Sequence, residues 1–399
     1  MNEFDYVAAA RQRTGSVVEL AQDLVRLPSR GGIDDYQPVL DCVESWLADR
    51  ALPHRRLFDS DAGLVGLLVE IAGKRPGPWW GLDACLDTAP FGDEEAWSFA
   101  PTAGDVVDNW LLGRGAADSK LAASTFCHIA EDLHRHTDRL TGGLSVLLDV
   151  DEHTGQFGGA RAYLSDTRTQ RAAGIMIGYP GFEEIVVGGR GLWRATLTVH
   201  APAGHSGSSK TVTGAISRAA RLVGLLDQAQ LPGPDSRFPL PAKVSVTAIS
   251  GGSGFSVVSD RVDLNVDVRL TPAFDEVAAA ALVREAVKQV DEEMPGPAPT
   301  EVSVVASWPP FQLTPKDEPA AAMLRAADSL GIPLATKTAG PSNIGNLMSA
   351  HGVPATAGFG VPYEGLHGTD ERARLTELPS VYALYHRTVL DLLQAAPPA

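Results

Sequence analysis

Four stretches of the chain, residues 64–71, 79–85, 144–150 and 175–177, are apolar almost without interruption. A strand with one face in water alternates apolar and polar side chains. A run that is apolar throughout is covered on both faces, as in a sheet layered between helices. Helix-like stretches such as residues 121–134 lie between the runs and supply that cover. The chain up to residue 189 therefore reads as an α/β sheet domain. Two of the runs exit into polar chemistry, CLDT at 85–88 and DEH at 151–153. Open α/β sheets place ligands beyond the carboxyl ends of their strands, so a site is expected at these exits.

From Arg190 the pattern changes. Val262, Leu264, Val266, Val268 and Leu270 alternate with Asp263, Asn265, Asp267 and Arg269, the period of a strand with one buried face. Residues 192–199 alternate in the same way, residues 213–226 and 278–294 read as amphipathic helices, and 302–306 as a last strand. Strand, helix, two strands, helix and strand make a ferredoxin-like α+β unit. Two domains are expected: a discontinuous one of residues 1–189 and 308–399, and an inserted one of 190–307. The later part carries helical patterns at 319–329 and 379–393, and the final QAAPPA is expected to fray.

A chain of 399 residues, 44% hydrophobic, is long enough for two cores. No run approaches the roughly 18 apolar residues of a bilayer span, and the opening MNEFDYVAAARQR lacks the apolar centre of a signal peptide. A cytoplasmic location is expected. Three cysteines, Cys42, Cys85 and Cys127, do not make a disulfide framework. A net charge of −16 disfavours nucleic acid and anionic membrane as partners and says little about a small-molecule substrate.

Six motifs follow one another along the chain: CLDT (85–88), GRGAADSK (113–120), DEHTGQFGG (151–159), GYPG (178–181), GHSG (204–207) and YEGLHGTDE (363–371). Among them Cys85, Asp118, His153 and His367 are side chains of the kinds that bind zinc. In this order the motifs resemble those of the zinc peptidase/deacylase family of acetylornithine deacetylase, succinyl-diaminopimelate desuccinylase, aminoacylase and glutamate carboxypeptidase. The resemblance covers nearly the whole chain. It implies a mixed-sheet, zinc-exopeptidase-like catalytic domain with an inserted ferredoxin-like lid that also forms a homodimer. Carried over residue by residue, Asp118 would bridge two metal positions, Glu152 would be the general base, and Asp87 would orient the ligand at position 85. The resemblance further implies that His205 reaches a substrate oxygen across the dimer and that Arg269 binds the substrate carboxylate. Asn343 stands where the family often has Asp, at the pocket.

Three ligand positions depart from that pattern. The family's first His is Cys85, its second motif Glu is His153, and the acid before Pro180 is Tyr179. One position keeps Asp118, His153 and His367, enough for an open catalytic zinc site. The other keeps Asp118 and Cys85, with Tyr179 a poor ligand. One zinc per chain, or one strong and one weak metal position, is therefore expected, with another divalent metal open. The lid departs too, with Ser256 where the family has Asn before its Arg.

Plainer readings stay open for each residue. Asp118 could cap a helix; Cys85 could simply pack; Tyr179 could pack or offer its hydroxyl to substrate; His205 could be a turn residue; Arg269 could be a solvated strand residue. The expected activity is metal-dependent hydrolysis of an amide in a small N-acyl amino acid or dipeptide-like substrate. Two alternatives remain beside it: acyl-transfer, cyclisation or lyase chemistry on the same altered site, and a metal-free binding protein.

Overall fold

The computed structural model describes residues 5–209, 212–236 and 238–394, so of the final QAAPPA only Gln394 falls inside it and 395–399 lie outside. The chain divides into two compact units, one of residues 1–187, 313–337 and 351–399, the other of 188–312 and 338–350. In chain order the strands discussed below are β1 (His54–Phe58), β2 (Leu64–Ala72), β3 (Arg75–Cys85), β4 (Thr141–Asp149), β5 (Ile175–Ile177), β6 (Glu184–Gly189), β7 (Gly191–His200), β8 (Lys243–Gly251), β9 (Arg261–Leu270), β10 (Glu301–Trp308) and β11 (Ala355–Gly358). The helices are α1 (Tyr6–Arg26), α2 (Leu121–His134), α3 (Ala215–Asp227), α4 (Glu276–Glu293) and α5 (Leu378–Leu392).

The first unit is built on a mixed sheet in the order β1-β2-β4-β3-β5-β11-β6. β3 runs parallel to β4 and β5, and β11 parallel to β5, while β1, β2 and β6 add antiparallel pairs. The apolar runs became strands because their side chains are buried on both faces. β4 is buried from Gly142 to Asp149, and α2 is buried along most of its length. Register sets Cys85 beside Asp149 and Asp83 beside Ile177. β3, β4 and β5 therefore run out at the same edge, and the segments that follow them start side by side.

A second, much smaller sheet lies in the same unit. The hairpin of Tyr363–Glu364 and Arg372–Arg374 pairs with Trp110–Leu112, which pairs with Val106–Val107. The strand Trp110–Leu112 leads straight into GRGAADSK, and the hairpin's loop contains His367. This pairing fixes two loops far apart in sequence against each other.

The second unit has an antiparallel sheet, β8-β9-β7-β10, whose chain order of β7, α3, β8, β9, α4, β10 is the ferredoxin-like arrangement. Along β9 the alternation seen in the sequence is the alternation of burial: Val262, Leu264, Val266, Val268 and Leu270 join Leu222 of α3 and Val283 of α4 in one core. Removing one such side chain, as in Leu264→Ala, costs about 2–5 kcal/mol. The stretch 338–350 clusters with this unit: Asn346 Nδ2 donates to the carbonyls of Arg190 (3.2 Å) and Pro309 (2.8 Å), and the Ser342 hydroxyl donates to Arg190 O (2.7 Å). Among the described residues no helix is long and apolar enough to cross a membrane.

Candidate active site

Three neighbouring strand exits of the first unit supply most of the site. Cys85 ends β3, and Asp87 lies two residues beyond it; both are buried. Glu152 and His153 occupy the turn after β4, and Tyr179 follows β5. Asp87 accepts the backbone N–H of Glu152 (Oδ1, 3.2 Å) and of His153 (Oδ2, 2.9 Å), tying the exits of β3 and β4 together. In the same turn Asp151 takes a φ of 73°, and the Thr154 hydroxyl donates to its carboxylate. A short polar side chain tolerates that left-handed backbone when it can bond locally.

Asp118 arrives from the GRGAADSK loop. Gly113 and Gly115 have φ of 135° and 83°, and a Cβ on Gly115 would stand 2.6 Å from Thr88 Cγ2, so the loop's path requires both glycines. Between them Arg114 donates to Glu371 (Nη1 to Oε2, 2.6 Å) and to the carbonyls of Pro90 (3.0 Å) and Gly368 (2.7 Å). The other Glu371 oxygen accepts the N–H of Gly115, Ala117 and Asp118 at 3.0, 3.1 and 3.3 Å. Lys120 Nζ donates to Leu24 O and Leu27 O at the end of α1 (2.9 and 2.8 Å). Burial lowers this ammonium to about 8. The Asp118–Ser119 peptide is cis.

These anchors bring Asp118 Oδ2 to 3.0 Å from His367 Nε2 and 3.5 Å from His153 Nε2. The other Asp118 oxygen accepts the Ser119 hydroxyl (2.8 Å). His153 Nδ1 stands 3.4 Å from Asp87 Oδ2 and 3.5 Å from Glu152 Oε2, and the Tyr179 hydroxyl donates to Glu152 Oε1 (2.6 Å). Burial, reinforced by Asp118, lifts Glu152 to about 7 against the opposing pull of His153 and the Tyr179 hydroxyl. Burial also opposes charge on Asp118 and His153. Their mutual attraction, with His367 beside Asp118 and Asp87 beside His153, outweighs it: Asp118 is lowered and His153 raised.

This donor set fits a cation. Both ring nitrogens of His153 are buried and neither has a hydrogen bond, an expensive condition for an imidazole. One ligand atom each from Asp118, His153 and His367 lie within 4.8 Å of one another, as do those of Cys85, Asp87 and His153. A tetrahedron of donors about 2.1 Å from zinc spaces them by roughly 3.4 Å. The two Asp118 distances, 3.0 and 3.5 Å, bracket that spacing.

Several sequence expectations resolve here. Asp118 does not cap a helix: α2 begins without a side-chain cap, and the carboxylate faces His153 and His367. The Tyr179 hydroxyl donates to Glu152 Oε1. Asp87 serves residues 152 and 153 rather than position 85, because Cys85 has no ring N–H to give it. The sequence reading assigned no role to Arg114, Lys120 or Glu371. Their only signal was charge inside short glycine-bearing motifs, and their partners are backbone groups or residues hundreds of positions away.

The remaining expected residues belong to the second unit. His205 is exposed on a two-residue strand paired with Val257–Val258, its Nδ1 accepting the N–H of Gly207 (3.0 Å). Arg269 is half-buried, its Nε 2.7 Å from Asp267 Oδ1. Asn343 Oδ1 accepts the Gly345 N–H (2.8 Å).

Known proteins bear on this geometry. A sequence profile of Peptidase family M20/M25/M40 matches residues 82–391. Succinyl-diaminopimelate desuccinylase of Cereibacter sphaeroides is 27% identical over 385 residues, covering 94% of this chain and 98% of that one. Among solved structures, aminopeptidase PepT of Bacillus cereus superposes with a TM-score of 0.78 at 20% identity, over 95% of this chain and 98% of that one. A dinuclear metal-binding M20 peptidase of Bacillus subtilis does so at 0.73 and 16% identity, over 97% and 100%. The structures share the fold, a mixed catalytic sheet with an inserted antiparallel sheet domain.

Proposed function

We propose, from the premise that the chain belongs to peptidase family M20/M25/M40, that it hydrolyses an amide bond in a small N-acyl amino acid or dipeptide-like substrate. Glu152 takes the proton from water and returns it to the departing amine. The observation that carries this reading is the setting of Glu152. It is half-buried at the exits of three strands, held by the Tyr179 hydroxyl at 2.6 Å, and lifted to about 7, the range in which a carboxyl can both accept and give a proton near neutrality. The named reaction of the desuccinylase relative, removal of a succinyl group from an amino acid, is of the same class.

Asp118, His153 and His367 would hold one zinc ion per chain, which when bound polarises a carbonyl and acidifies water. Cys85 with Asp87 and His153 is a weaker second set. Burial drives the Cys85 thiol well up, and Tyr179, in the place of an acid, is spent on Glu152. Asp87 holds the Glu152–His153 turn, while His205, Arg269 and Asn343 of the second unit contact substrate, with a homodimer formed through that unit. A cytoplasmic enzyme acting on a small soluble substrate fits the charge of −16.

The test is metal content per chain together with hydrolysis of a panel of N-acyl amino acids in labelled water. One zinc per chain and label in the released acid support the reading. Turnover without label points to acyl transfer, cyclisation or elimination instead. No metal and no turnover of any panel member would leave a binding protein.

A further inference from the structure

Within the second unit, on the sheet face away from α3 and α4, lies a cavity of about 790 Å³. Four cationic side chains line it, Arg190, Arg194, Lys243 and Arg269, against one carboxylate, Asp267. Such a concentration of positive charge is out of character for a chain of net charge −16. Asp267 is already shared, 2.8 Å from Arg194 Nε and 2.7 Å from Arg269 Nε. Among the described residues the Arg190 guanidinium donates to neutral acceptors, the carbonyls of Gly340 (3.1 Å) and Pro241 (3.2 Å), and burial followed by repulsion from Arg269 lowers its pKa.

Lys243 is the telling residue. It stands directly across from Arg269 in the β8–β9 register, and among the described residues it has no carboxylate partner. Like charges facing each other across a strand pair are destabilising, with Cβ atoms only about 5 Å apart. That cost is removed when an anion sits between them.

We infer that Lys243, together with Arg269 and Arg190, selects a substrate whose portion bound by the second unit carries two anionic groups, a dicarboxylate rather than a monocarboxylate. Arg269 and Arg190 take one carboxylate and Lys243 takes the other. The inference rests on the reading of Arg269 as a substrate contact and adds a charge requirement to it.

The test is calorimetric binding of glutarate and of butyrate, which share a chain length scale but differ by one carboxylate, to the purified full-length protein at low salt. Binding needs no turnover, so an absence of amide hydrolysis would overturn the proposed function and leave this result readable. The expected result is glutarate at least tenfold tighter than butyrate. Lys243→Met should lower that ratio to near one by weakening glutarate alone, Lys243→Arg should retain it, and Lys288→Met, on an exposed helix face, should leave it unchanged. A wild-type ratio near one, an unaltered ratio in Lys243→Met, an equal loss in Lys288→Met, or no binding of either acid at millimolar concentration overturns the inference.

Discussion

At the strand exits of the first unit, charges of opposite sign interlock. Arg114 pairs with Glu371, His153 stands between Asp87 and Asp118, and Glu152 is clamped by a tyrosine. On the open face of the second unit's sheet, like charges oppose each other, and one carboxylate serves two guanidinium groups. The first arrangement is pre-organised: its carboxylates, and the His153 ring nitrogens that lack a hydrogen bond, suit a cation, and backbone bonds fix them before any ligand arrives. The second is adjustable, built from long exposed or half-exposed side chains whose mutual repulsion an anion relieves. The difference teaches that backbone anchoring gives the first cluster a fixed geometry, whereas long side chains on an open sheet face leave the second free to adjust.

The sharpest way to break the contrast is Glu152→Gln. Loss of a positioned proton carrier should lower kcat by about 100- to 10,000-fold with zinc content unchanged, and a drop under tenfold would remove Glu152 from the chemistry. Next comes Glu371→Ala, which strands Arg114 as a buried unpaired charge. An equilibrium unfolding titration should show a loss of about 3–5 kcal/mol; a loss below 1 kcal/mol would mean the network is not the anchor described. Asp87→Asn should weaken zinc affinity by about 10- to 100-fold, measured by competition with a chelator, because it releases the turn carrying His153. The second unit should respond differently: Arg269→Lys is expected to raise KM by roughly tenfold with kcat little altered, since a point charge replaces a planar fork. An equal fall in kcat would show that the two regions are not so distinct.

The smallest expected effect is acid sensitivity of the first unit. Burial lowers both His128 and His386 to about 4, against 6.5 for an ordinary histidine. His128 Nδ1 donates to Ser124 O, and in the neutral ring Nε2 accepts the Ser16 hydroxyl. The unfolded chain thus binds more protons than the folded one between those values. The contribution of these two histidines should be constant above pH 6.5 and decline as pH falls towards 4, and His128→Gln should flatten part of that slope in denaturant titrations.

Much of the fold was legible along the chain. Three of the four apolar runs are the parallel strands β3, β4 and β5 and the fourth is the antiparallel β2, residues 121–134 are the buried helix, and the alternation at 262–270 is the half-buried strand β9. Asp118, His153 and His367 were expected together because the order of the motifs resembles that of the zinc peptidase/deacylase family, and the structure sets one donor atom of each within 4.8 Å of the others. What could not be seen was the small sheet that registers the His367 hairpin on Trp110–Leu112, because strands of two or three residues leave no periodic trace. Stretch 338–350 was grouped with the first part of the chain but clusters with the second unit, through side-chain amide and hydroxyl bonds to the carbonyls of Arg190 and Pro309.

Periodicity and residue type therefore decided the strands, the helices, the two-part architecture and the kinds of chemistry available, because burial of one or both faces is a local demand repeated every few residues. Tertiary structure alone decided partnership. Tyr179 meets Glu152, Glu371 closes over the loop that carries Asp118, and Lys243 faces Arg269. Each of these contacts joins segments brought together by sheet register, and register depends on the whole set of strand pairings rather than on any stretch of sequence.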